Sequence, residues 1–527
     1  MRFFNTAGPV VPEKHYCIPP LERLDLGHLC ALVRDKLYFV LYAPRQTGKT
    51  STLLAFRDYL NSGAAGDYRC VYANVEAGQA MRENMEEAMR AILGELANRV
   101  RLTLGDEFLD EAWPGILEKA GPAGALNSAL GRLAESDPRP LVLFIDEIDA
   151  LIGDTLLSVL RQLRAGYDRR PGHFPHSVVL CGIRDVRDYR IHSGSSNEII
   201  TGGSAFNIKA ESLRLGDFSE KDVAALLAQH TEEAGQEFSP EAVETVWNRT
   251  QGQPWLVNAL AKRLCFLDTA VRERDHAITA EDVREAEEDL ILARETHLDQ
   301  LADKLREDRV RRVIEPLLSG GEEKEYTDRD IEYVLDLGLI ALDKNTPVIA
   351  NPIYAEVVPR EISYTVQLRM EEDPAWYVDH DGALDLPKLL AAFQEFFREH
   401  SEHWLERFEY REAGPQLLLQ AFLQRIVNGG GRVEREYGLG NRRTDLLIVW
   451  PQDGQVHHFV IECKLLHKGL EATIRSGLEQ TAAYMDRCGA ECGHLVIFDR
   501  DEEKKWADRI FRRRESFEGT EIEIWGM

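Results

Sequence analysis

The chain is 527 residues long, 44% hydrophobic and 29% charged, with a net charge of −27. This composition excludes a mostly disordered chain, a collagen-like repeat and a small disulfide scaffold, and the length suits three or four domains of roughly 100–200 residues each. Strong negative charge is the reverse of the usual nucleic-acid footprint, but residues 411–527 hold 17 basic and 19 acidic side chains, so that part is the one expected to meet a polyanion.

No apolar run approaches the ~20 residues that span a bilayer. The first residues carry no apolar region of the signal-peptide kind. Eight cysteines are scattered without a CxxC pair, so reduced thiols, a cytoplasmic location and no membrane partner are expected.

Up to about residue 215, apolar runs alternate with helical patterns. Strands are predicted at Leu37–Tyr42, Tyr68–Val75, Leu141–Ile145, Ser177–Gly182 and near Ser212–Leu215. Amphipathic stretches lie at Thr50–Leu60, Asn84–Val100 and Leu156–Ala165. This alternation predicts an α/β domain over residues 1–217 with a mainly parallel sheet.

Within it, Ala43–Thr50 (APRQTGKT) sits between a strand and a helix, the context of a phosphate-binding loop. Such a turn aims backbone N–H groups and a helix N-terminus at phosphate oxygens. Pro44, Arg45, Gln46, Thr47, Gly48, Lys49, Thr50 and Ser51 are therefore expected to bind ATP. Lys49 would reach the β/γ-phosphates and the Thr50 hydroxyl would ligate Mg²⁺. Ala43 stands where the pattern usually has its first glycine.

Leu141–Glu147 (LVLFIDE) is an apolar strand ending in two acids. Asp146 suits the Mg²⁺ shell, and Glu147 suits the base that deprotonates the attacking water. Arg184, at the tip of the Ser177–Gly182 strand, is a candidate γ-phosphate sensor. Arg161, Arg164, Arg169 and Arg170 are candidates for an arginine supplied in trans, which would imply a homo-oligomer.

Residues 218–296 read as helices, with Ser219 and Thr279 as N-caps. Residues 297–360 give helical patterns followed by two short strands, Leu339–Leu342 and Val348–Asn351, a winged-helix pattern. Its third helix, Thr327–Gly338, carries Asp328, Asp330, Glu332 and Asp336 against one Arg329. Four carboxylates disfavour a phosphate backbone, so this module is read as a coupling or protein-trigger surface rather than a groove reader.

To here the chain resembles the STAND and AAA+ group of P-loop ATPases, including archaeal-type and initiator-like families. The resemblance implies a helical lid over residues 218–296 and, within Gly252–Pro254 (GQP), contact of Pro254 with the nucleotide.

Residues 361–411 are read as a linker and helices. Beyond them the order is helix Gln416–Val427, strands Arg432–Tyr437, Asp445–Val449 and Phe459–Leu465, helix Leu478–Cys488, strand His494–Phe498 and a last strand Glu521–Trp525. Arg512–Arg514 reads as a helix end. Glu462 and Lys464 are two apart on one strand and so share a face. With Asp445 and the Cys463 carbonyl, they suit Mg²⁺, or Mn²⁺, on a scissile phosphate.

This D-x(n)-E-x-K pattern over residues 412–527 resembles the PD-(D/E)XK nuclease superfamily. Gln480 and Tyr484 are similar to the Q-x-x-x-Y pair of its RecB-like branch, which implies a place near metal and DNA. The first helix offers Gln416, Gln420 and Gln424 where many relatives have an acid, with Glu434 or Glu436 as substitutes. The fold class expected is thus α/β multidomain: a P-loop ATPase, a helical lid, a winged helix and a restriction-endonuclease-like domain. The expected function is an ATP switch gating a metal-dependent nuclease whose nucleic-acid substrate is expected to be DNA rather than RNA, in prokaryotic defence or mobile-element biology by association. The alternatives are a non-catalytic switch or DNA-binding adaptor with an inert nuclease fold, and a DNA-remodelling motor.

Overall fold

The computed structural model describes residues 2–527 apart from 83, 185–190, 193–198, 201–208, 268–275, 294–296, 298–300, 302–303, 306, 320–325, 363–375, 406–418, 421, 424–430, 436–445, 453–454, 467–468, 491 and 500–503. The chain divides into two compact units, one formed by Met1–His297 with Glu332–Leu339, the other by Leu298–Ile331 with Ile340–Met527.

In the first unit, β1 (Phe3–Phe4) and β2 (His15–Tyr16) pair in parallel. Helix α1 (Leu26–Arg34) follows, capped by the Asp25 carboxylate. Then come β3 (Phe39–Tyr42), α2 (Lys49–Asn61), β4 (Arg69–Asn74), α3 (Met85–Leu104), α4 (Phe108–Ala120), α5 (Ala125–Glu135), β5 (Leu141–Asp146), α6 (Gly153–Ala165), β6 (Ser177–Gly182), the two-residue β7 (Ile191–His192) and β8 (Ile199–Ile200), and β9 (Glu211–Arg214).

The main sheet runs β4-β5-β6-β3-β9, all parallel. Its central strands are buried on both faces, as their unbroken apolar runs require. One face packs on α3 to α6 through Leu93, Leu130 and Leu160, and the other on α1 and α2 through Val33 and Phe56. All five predicted strands form. Helices α4 and α5 lie where no helix is predicted. Pro114 inside α4 and the Gly121–Pro122 break before α5 interrupt the pattern.

The helices α7 (Glu220–Ala234), α8 (Pro240–Thr250), α9 (Pro254–Lys262) and α10 (Ala280–Leu292) follow in this unit, which also takes in Glu332–Leu339. Ser219 and Thr279 are capping-box residues for α7 and α10, as predicted.

The second unit holds α11 (Asp308–Ser319), the first residues of α12 (Asp328–Asp336), the antiparallel hairpin β10 (Ile340–Asp343) with β11 (Thr346–Ile349), α13 (Pro352–Ile362) and α14 (Leu386–Leu405). A six-stranded mixed sheet follows: β12 (Arg432–Arg435), β13 (Leu446–Gln452), β14 (Gln455–Leu465), β15 (Cys492–Phe498), β16 (Phe511–Phe517) and β17 (Thr520–Gly526), in the order β12-β13-β14-β15-β17-β16. Helix α15 (Leu470–Cys488) covers one face through Ile474, Leu478 and Met485. On the other face Phe393 of α14 packs with Ile461, Val496 and Trp525.

Arg512–Arg514 lies inside edge strand β16, which corrects the helix end expected there. Arg512 and Arg514 both donate to Glu523 on the paired strand, so the cations serve a cross-strand pairing rather than a helix terminus. No helix among the described residues is long and apolar enough to cross a membrane.

Candidate nucleotide site and the C-terminal acid–lysine pair

The loop between β3 and α2 takes the shape its glycine allows. Gly48 has φ +94°, and a Cβ there would lie 2.7 Å from an Arg23 guanidinium nitrogen. The left-handed backbone favours glycine, and a side chain there would also have to displace the Arg23 guanidinium. Gln46 also stands at positive φ, 59°. The Thr47 hydroxyl donates to the Pro44 carbonyl at 2.8 Å. Arg45 and Gln46 are exposed on the loop. Ser51, one turn into α2, accepts a hydrogen bond from the Val10 amide at 3.0 Å.

Lys49 is buried, and its ammonium donates to the Ala43 and Pro44 carbonyls at 2.9 Å each. The ammonium therefore lies within the loop, at the place where phosphate oxygens would compete for it.

The two acids at the end of β5 separate in character. Asp146 is fully buried. Its Oδ2 accepts from the Thr50 hydroxyl at 2.8 Å and from the Tyr72 hydroxyl at 2.9 Å, and its Oδ1 accepts from the Glu147 amide at 3.0 Å. Glu147 has left-handed backbone, φ 56° and ψ 41°. Burial, with help from the Asp149 charge, raises its carboxyl above the usual carboxylate range, and Lys49 opposes the rise. Burial beside Asp146 likewise raises the Tyr72 phenol, which keeps it a proton donor. A hydroxyl and a carboxylate in mutual contact, beside a lysine and a second acid, are a donor set that fits Mg²⁺ and a triphosphate.

Arg184 lies with its guanidinium 5.0 Å from the Tyr333 ring centroid. Tyr333 belongs to Glu332–Leu339, which is part of this same unit. In that stretch the Leu335 carbonyl accepts from Arg214 at 3.2 Å, and Gly338, at φ +75°, leaves only 2.6 Å between a would-be Cβ and the Pro44 ring. The stretch thus abuts the phosphate loop.

Pro254 opens α9 and is buried. The neighbouring Gly252 makes the junction with the first helix of this group: its carbonyl accepts from the Phe218 amide at 2.9 Å, and a Cβ would lie 2.0 Å from the Phe218 carbonyl oxygen. Arg23 ties this junction to the loop. Its guanidinium donates to the Thr47 and Gly216 carbonyls and lies 4.8 Å from the Phe218 ring centroid, and burial pulls its pKa down to about 10.

Residues 33–189 match the family model of the AAA domain. They form an AAA domain, a P-loop ATPase. Among solved structures the chain is similar to the Walker-type ATPase PABY2304 of Pyrococcus abyssi, at 14% identity over 67% of this chain and 99% of that one, with a TM-score of 0.44. It is similar to the RuvB Holliday junction branch migration motor of Thermotoga maritima, at 16% identity over 65% and 91%, TM-score 0.32. It is also similar to Cdc6p of Pyrobaculum aerophilum, at 18% identity over 66% and 93%, TM-score 0.34. No curated protein matches the chain.

Four arginines of the AAA domain were candidates for action in trans. Arg169 donates to Asn127 at 2.6 Å, and Arg170 donates to the Lys36 carbonyl beneath the Tyr167 ring. Both therefore serve the domain's own packing. Arg161 and Arg164 are exposed on α6.

In the second unit, Glu462 is 3% exposed, and its Oε1 accepts from the Lys464 ammonium at 2.6 Å. Both lie on the face of β14 that α15 covers. Glu462 pairs with Leu495, and Leu495 fills the space a Cβ on Gly477 of α15 would take. Tyr484 is buried on α15 in the same apolar layer, and the half-buried Gln480 has its Oε1 sealed from solvent with no hydrogen bond from the described residues. Cys463 faces the opposite layer with Val496, in the part of β14 paired to β15. Asp445 lies outside the described residues, as do Gln416, Gln424, Glu436 and most of the helix predicted at Gln416–Val427. Among the described residues no three His, Cys, Asp or Glu side chains gather as a metal site.

Sequence reasoning missed Tyr72 and Arg23. Tyr72 had only the general signal that a buried phenol needs a partner for its hydroxyl, and nothing local in the strand Arg69–Asn74 names that partner. Arg23 had none, because its partners are backbone carbonyls.

Proposed function

We propose that this chain is an ATP-dependent switch whose AAA domain gates a metal-dependent nuclease in residues 412–527 that cuts DNA. The observation that carries the ATPase half is the convergence of Lys49, Thr50, Asp146 and Glu147 at one strand–loop–helix junction. Lys49 exchanges the Ala43 and Pro44 carbonyls for phosphate oxygens, and the loop amides hold the remaining phosphate charge. Thr50 and Asp146 would hold Mg²⁺, which supplies charge neutralisation across the β/γ-phosphates. Glu147, with its raised carboxyl pKa, takes the proton of the attacking water.

Support for gating comes from Glu332–Leu339. This stretch packs at Pro44 and Arg184, whereas the chain on either side of it belongs to the other unit. Support for the nuclease comes from the contact of the buried Glu462 with the half-buried Lys464 on a strand of a mixed six-stranded sheet. Residues 218–296 act as the lid, with Pro254 near the nucleotide, and residues 297–360 as a winged-helix coupler open to a protein trigger. Asp445, Glu462 and the Cys463 carbonyl would hold the metal, which would supply charge neutralisation at a scissile phosphate; Lys464 would stabilise developing charge, with Gln480 and Tyr484 beside them. The protein acts as a homo-oligomer in the cytoplasm.

The test is cleavage of supercoiled, linear and single-stranded DNA with Mg²⁺ or Mn²⁺, with and without ATP. Wild type is compared with Lys49→Ala and Lys464→Ala. Cutting lost in Lys464→Ala and altered in Lys49→Ala supports the proposal. DNA binding without cutting by any form supports the adaptor reading instead, and sustained hydrolysis stimulated by DNA would identify a motor.

A further inference from the structure

The Asp146 carboxylate is held by three donors, one of which, Tyr72, lies outside both Ala43–Thr50 and Leu141–Glu147. In the register of β4 and β5, Tyr72 pairs with Phe144 and Asn74 pairs with Asp146. Side chains two apart on a strand share a face, so Tyr72, Phe144 and Asp146 all project to the α2 side. Two residues of strand rise about 6.6–6.8 Å, close to the reach of a tyrosine from its Cα to its hydroxyl. The phenol at the position beside Phe144 therefore arrives at Asp146 Oδ2, at 2.9 Å, from below. Thr50 reaches the same oxygen from above at 2.8 Å.

The ring is fixed in this pose. Tyr72 is 3% exposed and belongs to the apolar layer that contains Phe56 and Phe144. The Arg99 guanidinium lies 5.6 Å from its centroid on α3. A phenylalanine at this place would fill the same volume. The hydroxyl alone is what the apolar layer does not need.

We propose that Tyr72 is a positioning residue for the metal-binding carboxylate, orienting Asp146 so that its oxygens and the Thr50 hydroxyl meet a nucleotide-bound Mg²⁺. This deepens the ATPase reading above and rests on it. Tyr72 acts through Asp146, by fixing the carboxylate plane before the metal arrives, so that no reorientation cost falls on metal binding.

The experiment measures affinity for a fluorescent ATP analogue, with Mg²⁺ and in EDTA, in wild type, Tyr72→Phe, Asp146→Asn and the double variant. Steady-state hydrolysis and thermal midpoint are measured alongside. In Tyr72→Phe the Mg²⁺ concentration at half-saturation rises about tenfold, the scale of one hydrogen bond to a charged group. Affinity in EDTA stays at the wild-type value, while the thermal midpoint falls by a few degrees because a buried carboxylate loses one of its donors. In the Asp146→Asn background the added Tyr72→Phe change moves the Mg²⁺ midpoint less than twofold, because the group it acts through is gone.

An unchanged Mg²⁺ midpoint in Tyr72→Phe overturns the assignment. So does an equal loss with and without Mg²⁺, or an undiminished effect in the Asp146→Asn background; either would give Tyr72 a packing role only. If wild type binds no nucleotide under any condition, it is the ATPase reading that fails, a result distinguishable from failure of Tyr72 alone.

Discussion

Glu147 shows how much a single backbone angle can set. Its left-handed φ of 56° turns the side chain away from the line of β5, while Asp146 stays in the strand with its carboxylate buried. Adjacent acids thereby acquire different tasks. One accepts three hydrogen bonds and suits a metal shell; the other is raised toward a neutral form and suits proton abstraction. Glu147→Gln is expected to lower hydrolysis at least about a hundredfold while MgATP binding persists. The base must be ionised to work, so wild-type kcat rises with pH through a midpoint above the ordinary carboxylate range. That limb vanishes in Glu147→Gln. A pH series of kcat from pH 4.5 to 8 checks both. The motif residues were legible in the sequence because they are contiguous or end one strand. Tyr72 was not, because the contact that gives it meaning spans 74 positions.

At the scale of elements, the pairing of β15, β16 and β17 is where a local reading failed. Three successive arginines after a polar stretch read as a helix end. Pairing with β17 instead sets Arg512 and Arg514 against Glu523, 3.0 and 2.6 Å away. The same three strands bury His494. Its Nδ1 accepts from the Trp525 indole at 3.1 Å, and burial lowers its pKa to about 4 despite the nearby Glu523. His494 is thus neutral in the fold and protonated in the unfolded chain below its ordinary value of about 6.5. The unfolded state binds more protons over that window, so stability falls as pH drops from about 6.5 toward 4. His494→Gln removes this group from the titration, and the pH slope of the C-terminal unfolding transition flattens. The urea midpoint of that unit, followed by limited proteolysis between pH 4 and 7, tests it.

At the scale of the whole molecule, the AAA domain leaves Arg161 and Arg164 exposed on α6 while Arg169 and Arg170 are committed to its own packing. We assign any arginine acting in trans to the first pair. Turnover per protomer then rises with protein concentration. Arg161→Ala with Arg164→Ala removes that rise and leaves ATP binding intact, as hydrolysis measured over a hundredfold concentration range will test. The sequence by itself determined the parallel sheet, the phosphate loop, the acid-tipped strand and the one-face placement of Glu462 with Lys464. Each of these follows from periodicity or from neighbours in the chain, and local sterics decide it. Only the tertiary structure decided that Tyr72 holds Asp146, that Arg23 joins the phosphate loop to the Gly216–Phe218 junction, and that Glu332–Leu339 packs against Pro44. Those contacts join residues far apart in the chain through hydroxyls, carbonyls and ring faces. Such groups are common in any sequence and become specific only when strand register and helix packing bring them within hydrogen-bonding reach.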